Sequence, residues 1–234
     1  FGGSPENRAR FAAMVIEEVR KAVGPSFPII VRISADEFAE GGNTLQDSIE
    51  YLRFFEKEVD MFDVSAGLNS SIQYQIDANH LADGWRAYLS RAIKEEFGKP
   101  VFVMGNIRDP KVAEDILARG DADMIGIGRG LIADPEYVNK VISGREDEIR
   151  KCISCNIGCA GNRIGVNRPI RCTVNPCVNE TEDYREVELL RPCNVVVIGG
   201  GTAGLEAACT AAEAGCTAFL IEKNSQTGGL AAEI

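Results

Sequence analysis

The sequence has no uninterrupted apolar stretch of about 18 or more residues, so no segment is expected to cross a bilayer as a helix. It has no excess of basic charge: 25 Lys and Arg stand against 35 Asp and Glu, a formal net charge of −10. Nucleic acids and anionic membranes recruit Lys/Arg patches, so neither is an expected partner. A basic-then-apolar opening, the mark of a secretory signal, is missing. There is a single histidine, His80, beside Asn79 and Leu81; it reads as a surface or helix-start residue. Cysteine is absent from the first 151 residues, and all eight then fall at 152, 155, 159, 172, 177, 193, 209 and 216. A disulfide-stabilised secreted protein would be short and would scatter its cysteines. What is present is the make-up of a folded protein, 45% hydrophobic and 26% charged, which excludes a disordered chain. At about 150 residues per domain, 234 residues make one large domain or two small ones. Phe1 at the start and Leu230–Ile234 at the close give the expectation of a fragment of a longer protein.

The first 145 residues repeat a strand–helix unit. Ser4-Pro5-Glu6 opens a helix whose apolar face is expected at Phe11, Val15, Val19 and Val23, ended by Gly24-Pro25. Ile29–Ile33 reads as a buried strand, Thr44 as the cap of a helix with Leu45, Ile49, Leu52 and Phe55 on one face, and Met61–Ser65 as a weaker strand. Trp85, Leu89, Ile93 and Phe97 mark a third helix. Val101–Met104 and Met124–Ile127 read as strands, each followed by a helix capped at Asp109-Pro110 and Asp134-Pro135. A helix and four βα units predict a parallel sheet with helices outside. Two closures are open: a doubly wound sheet, or half of a (β/α)8 barrel, whose eight units need about 250 residues.

The strand ends carry chemistry. Gly105-Asn106 and Gly128-Arg129-Gly130 would let a phosphate approach backbone N–H groups, with Arg129 adding a charge-assisted contact; equally, the glycines could serve tight turns alone. Arg32 interrupts an apolar strand and needs an anionic or hydrogen-bonding partner: a ligand inside a barrel, or a structural ion pair.

Cys152-x2-Cys155-x3-Cys159-x12-Cys172 is the strongest metal signal. Four thiolates serve zinc or an iron–sulfur cluster, and three close cysteines plus one distant fit a cubane better than the paired C-x2-C of zinc ribbons. Arg150, Lys151, Arg163, Arg168 and Arg171 surround them in sequence. The other four cysteines lack ligand spacing and read as ordinary small residues. After an acidic stretch at 180–190, Asn194–Ile198 reads as a strand running into Gly199-Gly200-Gly201-Thr202-Ala203-Gly204 and a helix. A second strand ends in Glu222, 18 residues beyond Gly204. In that setting G-x-G-x-x-G is a strong dinucleotide fingerprint, Glu222 being placed to accept from ribose hydroxyls. Gly228-Gly229 following it fits FAD-binding better than NAD-binding domains.

Together these segments resemble the iron–sulfur branch of the old-yellow-enzyme-like NADH:flavin oxidoreductases, the branch of 2,4-dienoyl-CoA reductase, 2-enoate reductase and trimethylamine dehydrogenase. Phe1–Arg8, Gly105–Pro110, Gly128–Pro135, the four clustered cysteines and Val197–Glu222 carry the resemblance. It implies the C-terminal half of an FMN-binding TIM barrel over 1–147, a 4Fe–4S segment and linker over 148–190, and the start of a Rossmann-like FAD domain over 191–234. It implies that Arg32 meets the FMN pyrimidine edge, and that Gly105, Asn106, Gly128 and Arg129 hold its phosphate. Cys152, Cys155, Cys159 and Cys172 would bind the cluster, and Gly199, Gly201, Thr202, Ala203, Gly204, Glu222 and Gly229 would bind FAD, or ADP in the trimethylamine dehydrogenase type. The implied activity passes electrons from NAD(P)H through FAD and the cluster to FMN and reduces an activated C=C bond of a small unsaturated substrate. The alternative is an amine dehydrogenase sending electrons to an acceptor protein. A cytoplasmic location and a homo-oligomeric assembly are further implications. No catalytic residue is assigned: where some members place a His, this sequence has Ser65-Ala66-Gly67-Leu68-Asn69. A zinc-stabilised binding module is the non-enzymatic rival.

Overall fold

The computed structural model of the protein describes residues 1–179, 191 and 193–232. The chain divides into two compact units, 1–179 and 180–234; the acidic stretch at 180–190 lies outside the described residues.

In the first unit, β1 (Ile30–Ser34), β2 (Met61–Ser65), β3 (Val101–Met104) and β4 (Met124–Gly126) form one parallel sheet in the order β1-β2-β3-β4. The order follows the chain. A doubly wound sheet would reverse at a switch point, so the first closure considered is disfavoured and single-direction winding, as in a barrel, is what the topology has. Alternation along the strands then separates two faces. Val31, Ile33, Phe62, Val64 and Val101 point to the helices and pack with Ile49, Leu52, Phe55, Leu89 and Ile93. Val103 and Ile125 join Ala87, Ile107 and Ile116 in a second cluster. Leu52, Phe62, Leu89, Ile93 and Ile116 are fully buried, each stabilising the fold by about 1.5–3 kcal/mol. The opposite face carries Arg32, Asp63, Phe102 and Met124 in one row.

Helix α1 (Pro5–Val23) starts as its sequence dictates, with the Ser4 hydroxyl accepting from the Asn7 N–H. Its buried face is not the expected one. Ala9 and Ile16 are buried and Ala12 and Ala13 pack beside them, whereas Phe11, Val15, Val19 and Val23 are exposed. The helix has two apolar stripes, and the small-residue stripe permits the closer approach to its neighbour α2 (Leu45–Leu52). Thr44 and Asp47 close a capping box on α2. A short α3 (Ile72–Gln75) precedes α4 (Ala87–Phe97), which ends at left-handed Gly98. Trp85 lies just ahead of α4 rather than on it, stacked against Phe38 and Tyr74. Asp109 caps α5 (Pro110–Ala118) as expected. An unforeseen α6 (Arg129–Ala133) opens directly after β4, and the next helix, α7 (Tyr137–Ile142), starts after Glu136. Asp134 is not its terminal cap residue, although its carboxylate accepts the Glu136 N–H.

The second unit pairs β5 (Asn194–Ile198) with β6 (Thr217–Ile221) in parallel through α8 (Thr202–Glu213). Among the described residues no helix is long and apolar enough to cross a membrane.

Candidate functional site

At the C-terminal ends of β3 and β4 a pocket is lined by Asp77, Arg86, Gly105, Asn106, Gly128, Arg129, Cys152 and Ser154, among others. Its floor is a buried ion network that sequence reading missed. The Asp77 carboxylate accepts the Trp85 indole N–H at 2.8 Å and lies 3.3 Å from Arg86 and 3.7 Å from Arg129. Asp77 and Arg86 are 1% and 4% exposed. Arg86 also donates to the Met104 and Tyr74 carbonyls. Burial pulls its pKa below the usual guanidinium range, with Asp77 opposing. Arg86 passes over Gly105, where an added Cβ would fall 2.0 Å from its Nε. Gly105 is therefore open to the guanidinium, a tighter demand than a turn alone makes. Gly128 differs: among the described residues nothing lies within 4 Å of a Cβ built there, which leaves its backbone open to a ligand.

Arg129 is anchored before any ligand arrives. Its Nη1 donates to the Asp77 carbonyl at 2.6 Å and to Asn156 Oδ1 at 2.5 Å. Asn106, at φ +48, donates to the Leu81 carbonyl and accepts from Ser154 Oγ at 2.5 Å. Arg32 is not buried as expected: its side chain is 59% exposed on the open face, 3.6 Å from Asp63 Oδ2. Asp63 Oδ1 is buried with no hydrogen-bond partner among the described residues, and burial raises its carboxyl pKa against the pull of Arg32.

Ser154 and Asn156 belong to the cysteine segment, and both take left-handed backbone. They fold the loop so that Cys152, Cys155, Cys159 and Cys172 line a single pocket, walled by Ile132, Ile153 and Val174. A loosely wound turn, Ile157–Gly165, carries Cys159. Cys172 is delivered by a close backbone crossing: the Arg171 N–H donates to the Gly158 carbonyl at 2.8 Å, and a Cβ on Gly158 would fall 2.6 Å from the Arg171 carbonyl oxygen. Burial raises the Cys155 thiol pKa, but hydrogen bonds from Thr173 and from backbone N–H groups outweigh it, so the net shift favours thiolate. Among the described residues no three His, Cys, Asp or Glu side chains converge closely enough to hold a single metal ion. The pocket that the four cysteines share presents mainly apolar surface. Of the five basic residues expected around it, Arg171 lines the pocket, joined by Arg129, while Lys151 pairs with Asp109.

In the second unit the glycine loop, Glu222 and Gly229 converge. Gly199 is left-handed at φ +101. A Cβ on Gly204 would lie 1.8 Å from the Gly199 carbonyl oxygen, so only glycine lets α8 start this close to β5. Thr202 and Ala203 open α8, whose first N–H groups suit an anion. Glu222 accepts from the Gly200 and Asn224 N–H groups, which hold its carboxyl below the usual range. The Gly228 N–H donates to the Gly200 carbonyl, and Gly229 packs on Gly201.

The model of the NADH:flavin oxidoreductase / NADH oxidase family matches residues 1–148. The chain belongs to that family. A second model, of FAD-dependent oxidoreductases, matches residues 194–233, so the two matched families are flavin enzymes, FMN-type and FAD-type respectively. An NADH oxidase of Thermoanaerobacter brockii is 46% identical over 98% of this chain and 36% of its own length. The structure of a 2-naphthoyl-CoA reductase complex superposes with a TM-score of 0.87 at 32% identity, over 97% of this chain and 35% of that one. A histamine dehydrogenase from Rhizobium sp. 4-9 gives 0.84 at 32% identity, over 97% of this chain and 33% of that one. The chain thus spans about a third of the length of these relatives, and its α/β fold with a parallel sheet is similar to that of TIM-barrel flavoenzyme structures.

In this member of the NADH:flavin oxidoreductase / NADH oxidase family, Asn106, Gly128, Arg129 and Cys152 meet at one pocket. Arg32 stands on the open face of the sheet, and His80 carries no part of the site. Asp77, Arg86, Ser154, Asn156 and Gly158 were missed from the sequence. The one available signal was Asn and Gly spaced between the cysteines, since both tolerate unusual backbone.

Proposed function

We propose that the chain is the central part of a flavin- and iron–sulfur-dependent ene-reductase taking NAD(P)H and a small unsaturated substrate. In this reading 1–147 is the second half of an FMN barrel, 148–190 the 4Fe–4S segment with its linker, and 191–234 the opening of an FAD domain. The observation that carries it is the shared wall between two pockets: Arg129 and Cys152 line both the glycine pocket and the cysteine pocket. A flavin and an electron carrier seated there would be neighbours.

When bound, the flavins supply hydride chemistry and the cluster supplies single-electron transfer. The residues do the rest. The backbone at Gly105, Asn106 and Gly128 with Arg129 would hold the FMN phosphate, and Arg32 would offer positive charge to the flavin ring. Cys152, Cys155, Cys159 and Cys172 would hold the 4Fe–4S cluster, with Ile132, Ile153 and Val174 excluding water. Gly199, Gly201, Thr202, Ala203 and Gly204 would receive the FAD pyrophosphate while Glu222 and Gly229 frame its ribose. The likeness to histamine dehydrogenase favours a second reading, an amine dehydrogenase on the same frame. The likeness to NADH oxidase at 46% identity supports the nicotinamide-driven direction.

The test is anaerobic purification of the full-length protein with iron, sulfide and flavin quantitation. About four Fe per chain with FMN and FAD, and flavin bleaching by NADH or NADPH, supports the reductase. Bleaching by amines but not by nicotinamides selects the dehydrogenase. Zinc without flavin overturns both.

A further inference from the structure

We propose that Cys193 and Cys216 form a reversible dithiol–disulfide pair that takes a low-molecular-weight disulfide as its oxidant. The two residues immediately precede β5 and β6. The register pairs Asn194 with Thr217, so the residues one step earlier are neighbours. The Thr217 N–H donates to the Cys193 carbonyl at 3.1 Å, and the Cys216 N–H is tied to the Ala211 carbonyl at 3.0 Å. Their sulfurs lie 3.3 Å apart. Adjacent strands run about 4.8 Å apart, within the Cα separation of about 4.4–6.8 Å that a disulfide accepts. Side-chain rotation then suffices to form the bond.

Access completes the case. Cys193 is exposed and Cys216 half-buried, so a small disulfide reaches the first sulfur. The four pocket cysteines belong to the other compact unit. The Cys193 thiolate attacks one sulfur of the small disulfide, breaking its S–S bond and releasing one thiol. Cys216 then attacks the mixed disulfide and releases the second thiol. Two protein thiols are oxidised, one small disulfide is reduced to two thiols, and no other reductant or oxidant enters. The bond would staple the N-terminal ends of the two strands. The glycine loop lies at the other end of β5, a strand of five residues or about 17 Å, so the staple leaves the nucleotide loop free.

The full-length protein, purified anaerobically, is incubated with oxidised glutathione, alkylated and digested at glutamate. Cleavage after Glu188, Glu206, Glu213 and Glu222 puts Cys193, Cys209 and Cys216 on separate peptides. The expected product joins 189–206 to 214–222 and is lighter by two hydrogens than the two free peptides. It disappears on dithiothreitol treatment and in Cys193→Ser and Cys216→Ser, and persists in Cys209→Ser. Separate glutathione adducts or alkylation at both sites without the joined peptide overturn the proposal, as does a cross-link through Cys209. The wild-type digest decides the matter even if a variant fails to fold.

Discussion

In the first unit the candidate site rests on side chains withdrawn from water. Asp77 and Arg86 are buried, and Arg129 and Asn156 are tied to carbonyls and to each other. In the second unit the candidate site is drawn by main chain: a glycine loop, two N–H groups on Glu222, and Gly229 against Gly201. The first kind of site is set by partners, and removing one leaves a stranded charge. The second is set by the space that glycines leave, and is disturbed by adding one carbon.

The largest test of that contrast concerns the cysteines. Replacing any one of Cys152, Cys155, Cys159 or Cys172 by Ser in the anaerobically purified full-length protein is expected to take bound iron from about four per chain to nearly none by iron and sulfide assay. Cys177→Ser, outside the pocket lining, should leave iron unchanged. Next comes Arg86→Ala, which takes the nearest cation from the Asp77 carboxylate and leaves it Trp85 and the more distant Arg129. A loss of about 3 kcal/mol, the low end for a broken buried pair, is expected in urea unfolding. Arg86→Lys should recover little, because separate guanidinium nitrogens reach Met104 and Tyr74; full recovery would mean that charge alone fixes the floor.

Smaller effects follow from glycines. Gly204→Ala forces the Gly199 carbonyl away and is expected to cost about 1–3 kcal/mol and to lower FAD content. Gly128→Ala meets no neighbour and should leave urea unfolding unmoved while lowering FMN content. Equal stability losses in the two would erase the distinction between them. The smallest effect is with acid. Backbone donation from Ile29 and the Arg20 hydrogen bond hold Asp60 below the usual carboxyl range. Its contribution is therefore whole above the unfolded value of about 3.9 and is lost as pH falls through its lower folded value. Asp60→Asn should flatten the stability profile in that window and leave it unchanged in shape near pH 7.

The parts legible in the sequence were those encoded locally. Strands such as Ile30–Ser34 and Val101–Met104, the caps at Ser4, Thr44 and Asp109, the cysteine spacing and the glycine fingerprint each depend on neighbours a few residues away. The missed parts depend on distant chain. Arg86, beside the apolar positions Trp85 and Leu89 that mark the helix, carries no signal of its own, and its role comes from Asp77 in the loop after β2. Gly128-Arg129-Gly130 reads as a phosphate-binding segment or a tight turn, and α6 at that point was not foreseen: Arg129 there finds Asp77 and Asn156, the latter 27 residues on. The covered face of α1 was misjudged because large apolar residues outweigh alanines in a periodicity count, while alanines allow the closer contact with α2. The doubly wound and single-direction closures share one pattern of strands and helices, and only the spatial order of the strands separated them.

That order bears on how the sheet comes together. Each strand of the first unit pairs with the next one along the chain, so within the described sheet every pairing spans a single βα unit. The separation from one paired residue to the next, as from Val31 to Phe62 and from Phe62 to Val101, is a few tens of residues, and loop closure costs correspondingly little. Pairing with the next strand is the least distant pairing a parallel sheet allows, and on a ribosome it lets the described sheet lengthen one strand at a time in the sequence of synthesis. The buried Asp77–Arg86 pair, supplied by the loop after β2 and completed against Met104 at the end of β3, can then lock the third strand before the cysteine segment is made.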